Sequence, residues 1–237
     1  MKKISAVILA LLMAMVFACP VFAEGVMTYA DYVAAELDAE ITVETYIQAK
    51  QGWWENNGVG NATFYTQNEE GAFFLYNMPC SQEEFELLTV GTKIRVTGYK
   101  AEWAGEVEIV DATYEIIEGE YIAEALDVTE LLGTEELINY QNQFVAFKGM
   151  TVEDAGNGAA FMYNWDGSGQ DGNDLYFNVS VNGVTYTFTV ESYLTGAGTE
   201  VYEAVKALKI GDVIDMEGFL YWYSGVNPHI ISVTPAK

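Results

Sequence analysis

The hydrophobic and polar positions of the chain predict the same order of elements twice. In the first half, three short β-rich segments separated by Gly and Asn are followed by a short amphipathic segment and two further strand patterns. The last of these alternates Val107 and Ile109 with Glu106 and Glu108, which is typical of a strand with one buried face. We therefore predict the order β-β-β-α-β-β for this half.

Local signals mark a helix and a hairpin. Ser81 and Glu84 have the spacing of a capping box, so a short helix should begin there. In the second half, Asn182-Gly183 lies between the segments DLYFNVSV and VTYTFTV, and this dipeptide is a strong hairpin signal. The helix of the second half is expected in TEVYEAVKAL. The second half is thus predicted to repeat the element order of the first.

A repeat without gaps supports this duplication. The segment LTVGTKIRVTGYKAEWAG, residues 88–105, aligns with LKIGDVIDMEGFLYWYSG, residues 208–225. Apolar residues and glycines recur at the same places in both segments, and the central glycines are Gly98 and Gly218. A repeat of this length indicates two domains of the same architecture.

The repeated glycine predicts a kink in the strand that contains it. Glycine accommodates the backbone of a β-bulge, and a bulge changes which side chains face the core. Because charged residues are costly in a barrel interior, we expect the bulge to turn them outward. The expected inward residues are Tyr99, Ala101 and Trp103, and the expected outward residues are Lys100 and Glu102. The same register in the second half is expected to bury Phe219, Tyr221 and Tyr223 and to expose Leu220 and Trp222.

The segments VGTKIRVTGYKAEWAGEVEI and IGDVIDMEGFLYWYSG resemble the fourth strand of OB-fold domains in exported bacterial proteins. Five strands with a helix between the third and the fourth is the order of the OB-fold, a Greek-key barrel. The resemblance implies an all-β fold with short helices, built as two tandem five-stranded OB-fold barrels. We place the first domain at residues 27–119 and the second at 120–237. The resemblance does not specify a ligand, because a fold does not dictate function.

Residues 1–23 have the pattern of a secretory signal peptide. Lys2 and Lys3 precede an apolar run, and the sequence ending at Ala23 resembles a cleavage site. We therefore expect a secreted protein or one of the cell envelope. A partial lipoprotein pattern at Cys19 leaves membrane attachment open only through a lipid anchor on that cysteine.

Composition argues against several functions. The chain has 35 acidic and 10 basic residues and a net charge of −25. A surface this acidic repels phosphate backbones, so we do not expect a nucleic-acid partner. With His229 as the only histidine, a zinc site built on several histidines cannot form, and Arg95 is the only arginine. Since phosphate-binding glycine loops are also absent, we predict that the protein is not an enzyme.

Aromatic residues give the leading hypothesis for a ligand. Trp53 and Trp54 precede a loop that borders the usual ligand-binding face of an OB-fold, and Leu220 and Trp222 are expected outward in the second barrel. Tryptophans at such edges stack on sugars or on apolar side chains. We predict a carbohydrate or a peptide segment as the ligand of these four residues. The alternative is a structural or assembly module of the cell envelope, with Leu220 and Trp222 packed at an interface.

The loop NWDGSGQDGND, residues 164–174, contains candidate metal ligands. Oxygen-bearing side chains stand at alternate positions, as in the first half of an EF-hand loop. The candidate ligands are Asn164, Asp166, Ser168 and Asp171. Leu175 occupies the place of the closing glutamate, so a flexible acidic hairpin loop is the competing interpretation. No cofactor other than calcium is expected.

Overall fold

The computed structural model describes residues 25–236, which form two β-barrels in tandem. The predicted signal peptide and Cys19 lie outside the described residues. Within residues 25–236, no helix combines the length and the apolar character needed to cross a bilayer.

The first barrel closes when its first long strand pairs with two others. Its elements are α1 (Tyr29–Ala34), β1 (Glu40–Lys50), β2 (Trp54–Asn56), β3 (Val59–Gln67), β4 (Ala72–Pro79), α2 (Gln82–Leu87), β5 (Thr92–Trp103) and β6 (Glu106–Glu120). Around the barrel the order is β1-β5-β6-β4-β3, and β3 pairs with β1 to complete the circuit. Only the β4–β6 pair is parallel among the described strands of this barrel.

The second barrel repeats this arrangement. Its elements are β7 (Leu126–Asp127), 3-10 helices at Thr129–Leu131 and Glu135–Tyr140, β8 (Phe144–Glu153), β9 (Met162–Tyr163), β10 (Leu175–Val181), β11 (Val184–Val190), α3 (Ser192–Thr195), α4 (Glu200–Lys206), β12 (Val213–Phe219) and β13 (His229–Pro235). The order is β8-β12-β13-β11-β10, closed by β10 on β8. Both barrels have the OB-fold strand order with helices between the third and fourth barrel strands, which confirms the predicted fold class.

The predicted local signals form in the structure. Ser81 Oγ accepts a hydrogen bond from the Glu84 N–H, and the Glu84 carboxylate accepts one from the Ser81 N–H, which is a complete capping box at α2. Asn182 and Gly183 have φ angles of 52° and 77° and connect β10 to β11. Positive φ at both positions matches the right-handed twist of a hairpin.

The repeated glycines lie where two strands approach closely. A Cβ on Gly98 would lie 2.8 Å from the Val110 carbonyl oxygen, and one on Gly218 would lie 2.3 Å from the His229 carbonyl oxygen. Strand pairing is irregular beside both glycines, so a bulge is present at each place, but not in the strand for which it was predicted. Glycine is required at these places because a side chain would strike the neighbouring backbone.

The extra residue of each bulge lies in the neighbouring strand. The prediction of which side chains point into the barrel and which point out is therefore wrong in part. Thr97 pairs with Thr113 and Tyr99 pairs with Val110. Between these two pairs β5 advances by two residues and β6 by three, so the extra residue is in β6. In β5 the alternation therefore continues through Gly98 without a shift. The predictions are wrong for Tyr99 and Trp103, which are exposed, and for Lys100, which is buried. In the second barrel they are wrong for Leu220, which is buried, and for Tyr223, which is exposed.

The buried Lys100 is stabilised by the end of α1. Its Nζ donates hydrogen bonds to the carbonyl oxygens of Tyr32, Val33 and Ala35 at 3.0, 2.9 and 2.7 Å. The Tyr32 carbonyl also accepts from the Ala35 N–H, whereas the carbonyls of Val33 and Ala35, at the end of α1 and just beyond it, have no helical partner among the described residues. The ammonium group thus supplies hydrogen-bond donors to the end of α1. These hydrogen bonds compensate for the cost of burying a charged side chain on β5.

We expect Lys100→Met to destabilise the folded state by about 1–3 kcal/mol, because it leaves the partly buried carbonyl groups of Val33 and Ala35 without a donor. Urea unfolding at pH 7 measures the change. Lys148→Met removes the same charge from an exposed position and should change the free energy of unfolding by less than about 0.5 kcal/mol. Equal effects of the two substitutions would contradict the assigned role of Lys100.

Candidate functional site

The two barrels contact each other through aromatic rings on their outer faces. Tyr65 of β3 stacks on Phe219 of β12, with ring centroids 4.5 Å apart. Phe74 of β4 contacts both Tyr65 and Tyr221, edge to face, at 5.0 and 5.3 Å. Tyr65, Phe74 and Phe219 are buried and form a cluster separate from the cores of the two barrels. The barrels are therefore packed on each other by an apolar interface.

A buried tyrosine–histidine pair lies within this interface. The Tyr65 hydroxyl is 2.6 Å from Nδ1 of His229, and the imidazole stacks on Tyr221 at 4.2 Å. Burial lowers the pKa of His229 to about 3, because the charged ring would be desolvated. The imidazole is therefore neutral at ordinary pH, and its Nδ1 accepts from the tyrosine when the proton is on Nε2.

A cleft of about 690 Å³ opens beside the tyrosine–histidine pair. The first barrel contributes Trp54, Tyr76 and Asn77, and the second contributes Asp174, Glu191, Tyr193, Tyr223 and Asn227. Among the described residues that line the cleft there is no lysine or arginine. It therefore combines ring faces with amide and carboxylate groups.

The rings at this cleft are accessible to a ligand. Tyr76 is 46% exposed, Tyr223 is 55% exposed and Trp54 is 41% exposed. Tyr76 also lies beside the ring of Phe74, with centroids 6.5 Å apart. The aromatic cluster of the interface thus continues to the surface through residues of both barrels.

Two carboxyl groups, those of Asp174 and Glu191, line the cleft. Glu191 caps α3 by accepting the N–H groups of Tyr193 and Leu194, and it accepts from Gln51 of the first barrel at 3.1 Å. Burial, with the nearby charge of Asp174, raises the pKa of Glu191 to about 7. Glu191 is therefore close to half ionised at neutral pH.

The four sequence-predicted ligand residues are separated in the structure. Trp54 lines the cleft. Trp53 is half-buried and its Nε1 donates to the Cys80 carbonyl oxygen at 3.0 Å. Leu220 lies in the core of the second barrel and Trp222 packs against that core. A ligand role stays a prediction for Trp54, while the other three side chains are engaged in packing.

The candidate calcium ligands lie on a surface loop. Asp171 accepts from Lys206 Nζ at 2.9 Å, and Asp166 accepts from the Ser168 N–H at 3.0 Å. Within residues 25–236, no group of three or more His, Cys, Asp or Glu residues is placed to hold a metal ion. Calcium binding by Asn164, Asp166, Ser168 and Asp171 stays a prediction.

The tyrosines and carboxyl groups of the cleft were not predicted as site residues from the sequence. One signal was present in the segment FFLY of β4, where both strand faces carry apolar side chains. Phe73 and Leu75 enter the barrel core, and Phe74 and Tyr76 lie on the opposite face. An apolar outer face on a barrel strand indicates a further contact surface.

Comparisons with known proteins found similarity at the level of solved structures. The sequence matches no family model and no curated protein. A murine DNA-binding protein bound to double-stranded DNA is 10% identical, with a TM-score of 0.39, covering 83% of this chain and 96% of that one. The Ifi202 HINa domain in complex with double-stranded DNA is 9% identical, with a TM-score of 0.36, covering 85% and 97%. The single-stranded DNA binding protein from Thermus aquaticus is 14% identical, with a TM-score of 0.27, covering 84% and 92%.

These comparisons contradict the ligand predictions made from the sequence. We predicted a carbohydrate or peptide ligand, or else a structural or assembly module, and no nucleic-acid partner. The similar structures are DNA-binding proteins, so neither the predicted ligands nor the exclusion of nucleic acid is retained. The exclusion rested on the net charge of the whole chain, which says little about one cleft.

We expect Tyr65→Phe to destabilise the protein by about 1–3 kcal/mol, because Nδ1 of His229 would lose its partner in a buried site. Chemical denaturation at pH 7 measures this change. Tyr193→Phe removes a hydroxyl from a residue that is 75% exposed and should have little effect. A Tyr65→Phe variant as stable as the wild type would show that the pair contributes nothing to the interface.

Proposed function

We propose that the protein is a non-enzymatic binding protein whose interbarrel cleft takes an unpaired nucleobase, either of a nucleoside or of a single-stranded nucleic acid. The observation that carries this proposal is the placement of accessible rings from both barrels around amide and carboxylate groups in one cleft. A ligand with a planar ring and polar edges can stack on the aromatic side chains and form hydrogen bonds with the amide and carboxylate groups.

Stacking supplies the first part of the recognition. Tyr76 and Trp54 from the first barrel and Tyr223 from the second offer ring faces that are partly exposed before any ligand binds. Stacking of a base on an aromatic side chain contributes about 1–3 kcal/mol per base and tolerates any base. Rings on both sides of the cleft therefore suit a flat ligand.

Polar groups supply the second part. Asn227 accepts from the Thr189 hydroxyl at 2.8 Å through Oδ1, which leaves its amide N–H groups free to donate. Asp174 and Glu191 also line the cleft. Oδ1 of Asp174 accepts from Ser192, so its Oδ2 is the acceptor left for a ligand. Among the described residues, Oε1 of Glu191 accepts from the Tyr193 N–H alone and has a second lone pair for a ligand. Asparagine pairs with adenine edges, and carboxylates accept from the amino group of cytosine. Bases that carry an exocyclic amino group fit these partners.

The charge of the cleft determines how such binding depends on salt. Without a lysine or arginine among its described lining residues, the cleft forms no ion pair with a phosphate group. Binding that depends on phosphate contacts weakens steeply as salt rises, because counterions are released. Here we infer that affinity comes from the base and changes little with salt concentration.

The first test uses substitutions of the stacking residues. Tyr76→Ala and Tyr223→Ala should each weaken the binding of a short adenine or cytosine oligonucleotide about 5- to 150-fold, which corresponds to about 1–3 kcal/mol. Fluorescence titration with labelled oligonucleotide, repeated with adenosine and cytidine, measures the affinity. Tyr99→Ala is the matched control, since Tyr99 is 44% exposed and does not line the cleft.

The absence of saturable binding to every oligonucleotide and nucleoside would refute the proposal. Binding that Tyr99→Ala reduces as much as Tyr76→Ala would place the ligand elsewhere. Tetramethylammonium belongs in the same titration, because aromatic and acidic groups also attract organic cations. Binding of that cation without binding of any nucleoside would assign the cleft to cationic ligands instead.

The second test uses pH. Ionised Glu191 is the better acceptor for an amino group, and its pKa of about 7 means that the ionised fraction grows between pH 6 and 8. Cytidine affinity should therefore rise by up to about tenfold over this range, as expected for linkage to one proton. Glu191→Gln should remove the dependence on pH. An affinity that falls with pH in the wild type would contradict a role for the ionised carboxylate.

A further inference from the structure

A buried carboxyl group lies at the joint between the barrels and is not one of the residues that line the cleft. Glu106 begins β6 in the first barrel and has no exposed surface. Its Oε2 accepts from the Trp222 backbone N–H at 2.8 Å and from Gln141 Nε2 at 3.2 Å. Both donors belong to the second half of the chain, so this carboxyl group connects the two barrels.

The other oxygen of Glu106 lacks a partner. Its Oε1 makes no hydrogen bond to any described residue, and the same is true of Oδ1 of Asn142. The Asn142 side chain is 3% exposed and lies beside the Glu106 carboxyl group. Two buried acceptors without a donor are costly, since neither is satisfied by the other.

Rotation of the Asn142 amide does not remove this conflict. Asn142 Nδ2 donates to the Val107 carbonyl oxygen at 3.1 Å. Exchanging the amide oxygen and nitrogen would bring two acceptors together at Val107 in place of the present donor and acceptor. The orientation of Asn142 is thus fixed by Val107, and the missing donor must come from the Glu106 side.

The groups that face Glu106 favour its neutral form. On its own strand the nearest charged group is Glu108, which is also buried. The titratable groups on neighbouring elements are Tyr32 of α1, Tyr65 of β3 and Tyr221 after β12. One lysine on the described elements, Lys100, lines a cavity with Gln141 and Asn142, but its Nζ donates to carbonyl groups of α1. Burial is the largest cause and, with the charge of Glu108, raises the pKa of Glu106 to about 8. The nearby N–H donors of Asn142, Trp222 and Gln141 act on this pKa in the opposite direction.

We propose that Glu106 is protonated in the folded protein and donates a hydrogen bond from Oε1 to Oδ1 of Asn142, so that one proton completes the joint between the two barrels. The proton satisfies both unpaired oxygens at once. Its loss leaves a desolvated anion facing an amide oxygen, which weakens the contact between the barrels. The joint is therefore a proton-sensitive element, and it adjoins the cleft through Trp222, which lies between the cleft residues Tyr221 and Tyr223.

The direction of the pH dependence follows from the two states. In the unfolded chain Glu106 ionises at its ordinary pKa, whereas the folded protein keeps the proton to higher pH. The contribution to stability is complete at pH values below the ordinary pKa and is lost as pH rises towards the folded-state pKa of about 8. Over this interval, one proton is released on unfolding.

Glu106→Gln tests the proposal because the amide has the shape and donor of the protonated carboxyl. Relative to this variant, the unfolding equilibrium constant of the wild type should rise by up to about tenfold per pH unit between about pH 5 and 8. Urea unfolding of the whole chain at several pH values measures both constants. Glu102→Gln removes an exposed carboxylate from the neighbouring strand and should follow the wild type at every pH.

A constant difference between wild type and Glu106→Gln over this pH range would overturn the proposal, because it would mean that Glu106 is ionised throughout. A measurement without substitution covers the case in which the variant fails to fold. The carboxyl carbon of Glu106 in labelled wild-type protein should give the signal of a protonated acid at pH 6.5. The signal of an ionised carboxylate at that pH would also overturn the proposal.

Discussion

The packing of one barrel on the other depends on the ring of Tyr65. This side chain lies on the outer face of β3, stacks on Phe219 and contacts His229 through its hydroxyl group. Ring contacts of this kind contribute about 0.5–1.5 kcal/mol beyond the area that they bury. Because the walls of the cleft come from both barrels, their spacing follows from this contact. The candidate site is therefore a product of the interface and is absent from either barrel alone.

Much of the fold could be predicted because its signals are local. The capping box at Ser81 and Glu84 and the turn at Asn182-Gly183 depend on residues a few positions apart. The duplication is visible because the fourth barrel strand must have a glycine where the next strand approaches, at Gly98 and at Gly218. These constraints act on the backbone and leave a direct trace in the sequence.

The orientation of the side chains that follow Gly98 in β5 could not be predicted in the same way. A bulge inserts a residue into one of two paired strands, and the sequence of β5 does not indicate which strand receives it. In the structure the extra residue is in β6, so the side chains of β5 keep their regular alternation and that of Lys100 is buried. Its burial becomes acceptable only through carbonyl groups of α1, which lie more than 60 residues earlier in the chain. Such compensation between distant elements has no local pattern.

The candidate site was predictable only in part, for a related reason. Trp54 was predicted as a ligand residue because it precedes a loop at the usual ligand-binding face, whereas Tyr76 and Glu191 become neighbours only when two barrels meet. The acidic composition was the reason for excluding a nucleic-acid partner. Net charge sums over a whole surface and does not describe one cleft.

The outer-face rings have a consequence for the two halves of this duplicated chain. A barrel separated from its neighbour would present Tyr65 and Phe74, or Phe219, to water as an apolar patch. Such patches promote association, so the first barrel alone is expected to associate through Tyr65 and Phe74. A substitution on the outer face of one copy therefore affects the other copy, whereas a substitution in one interior acts within its own barrel.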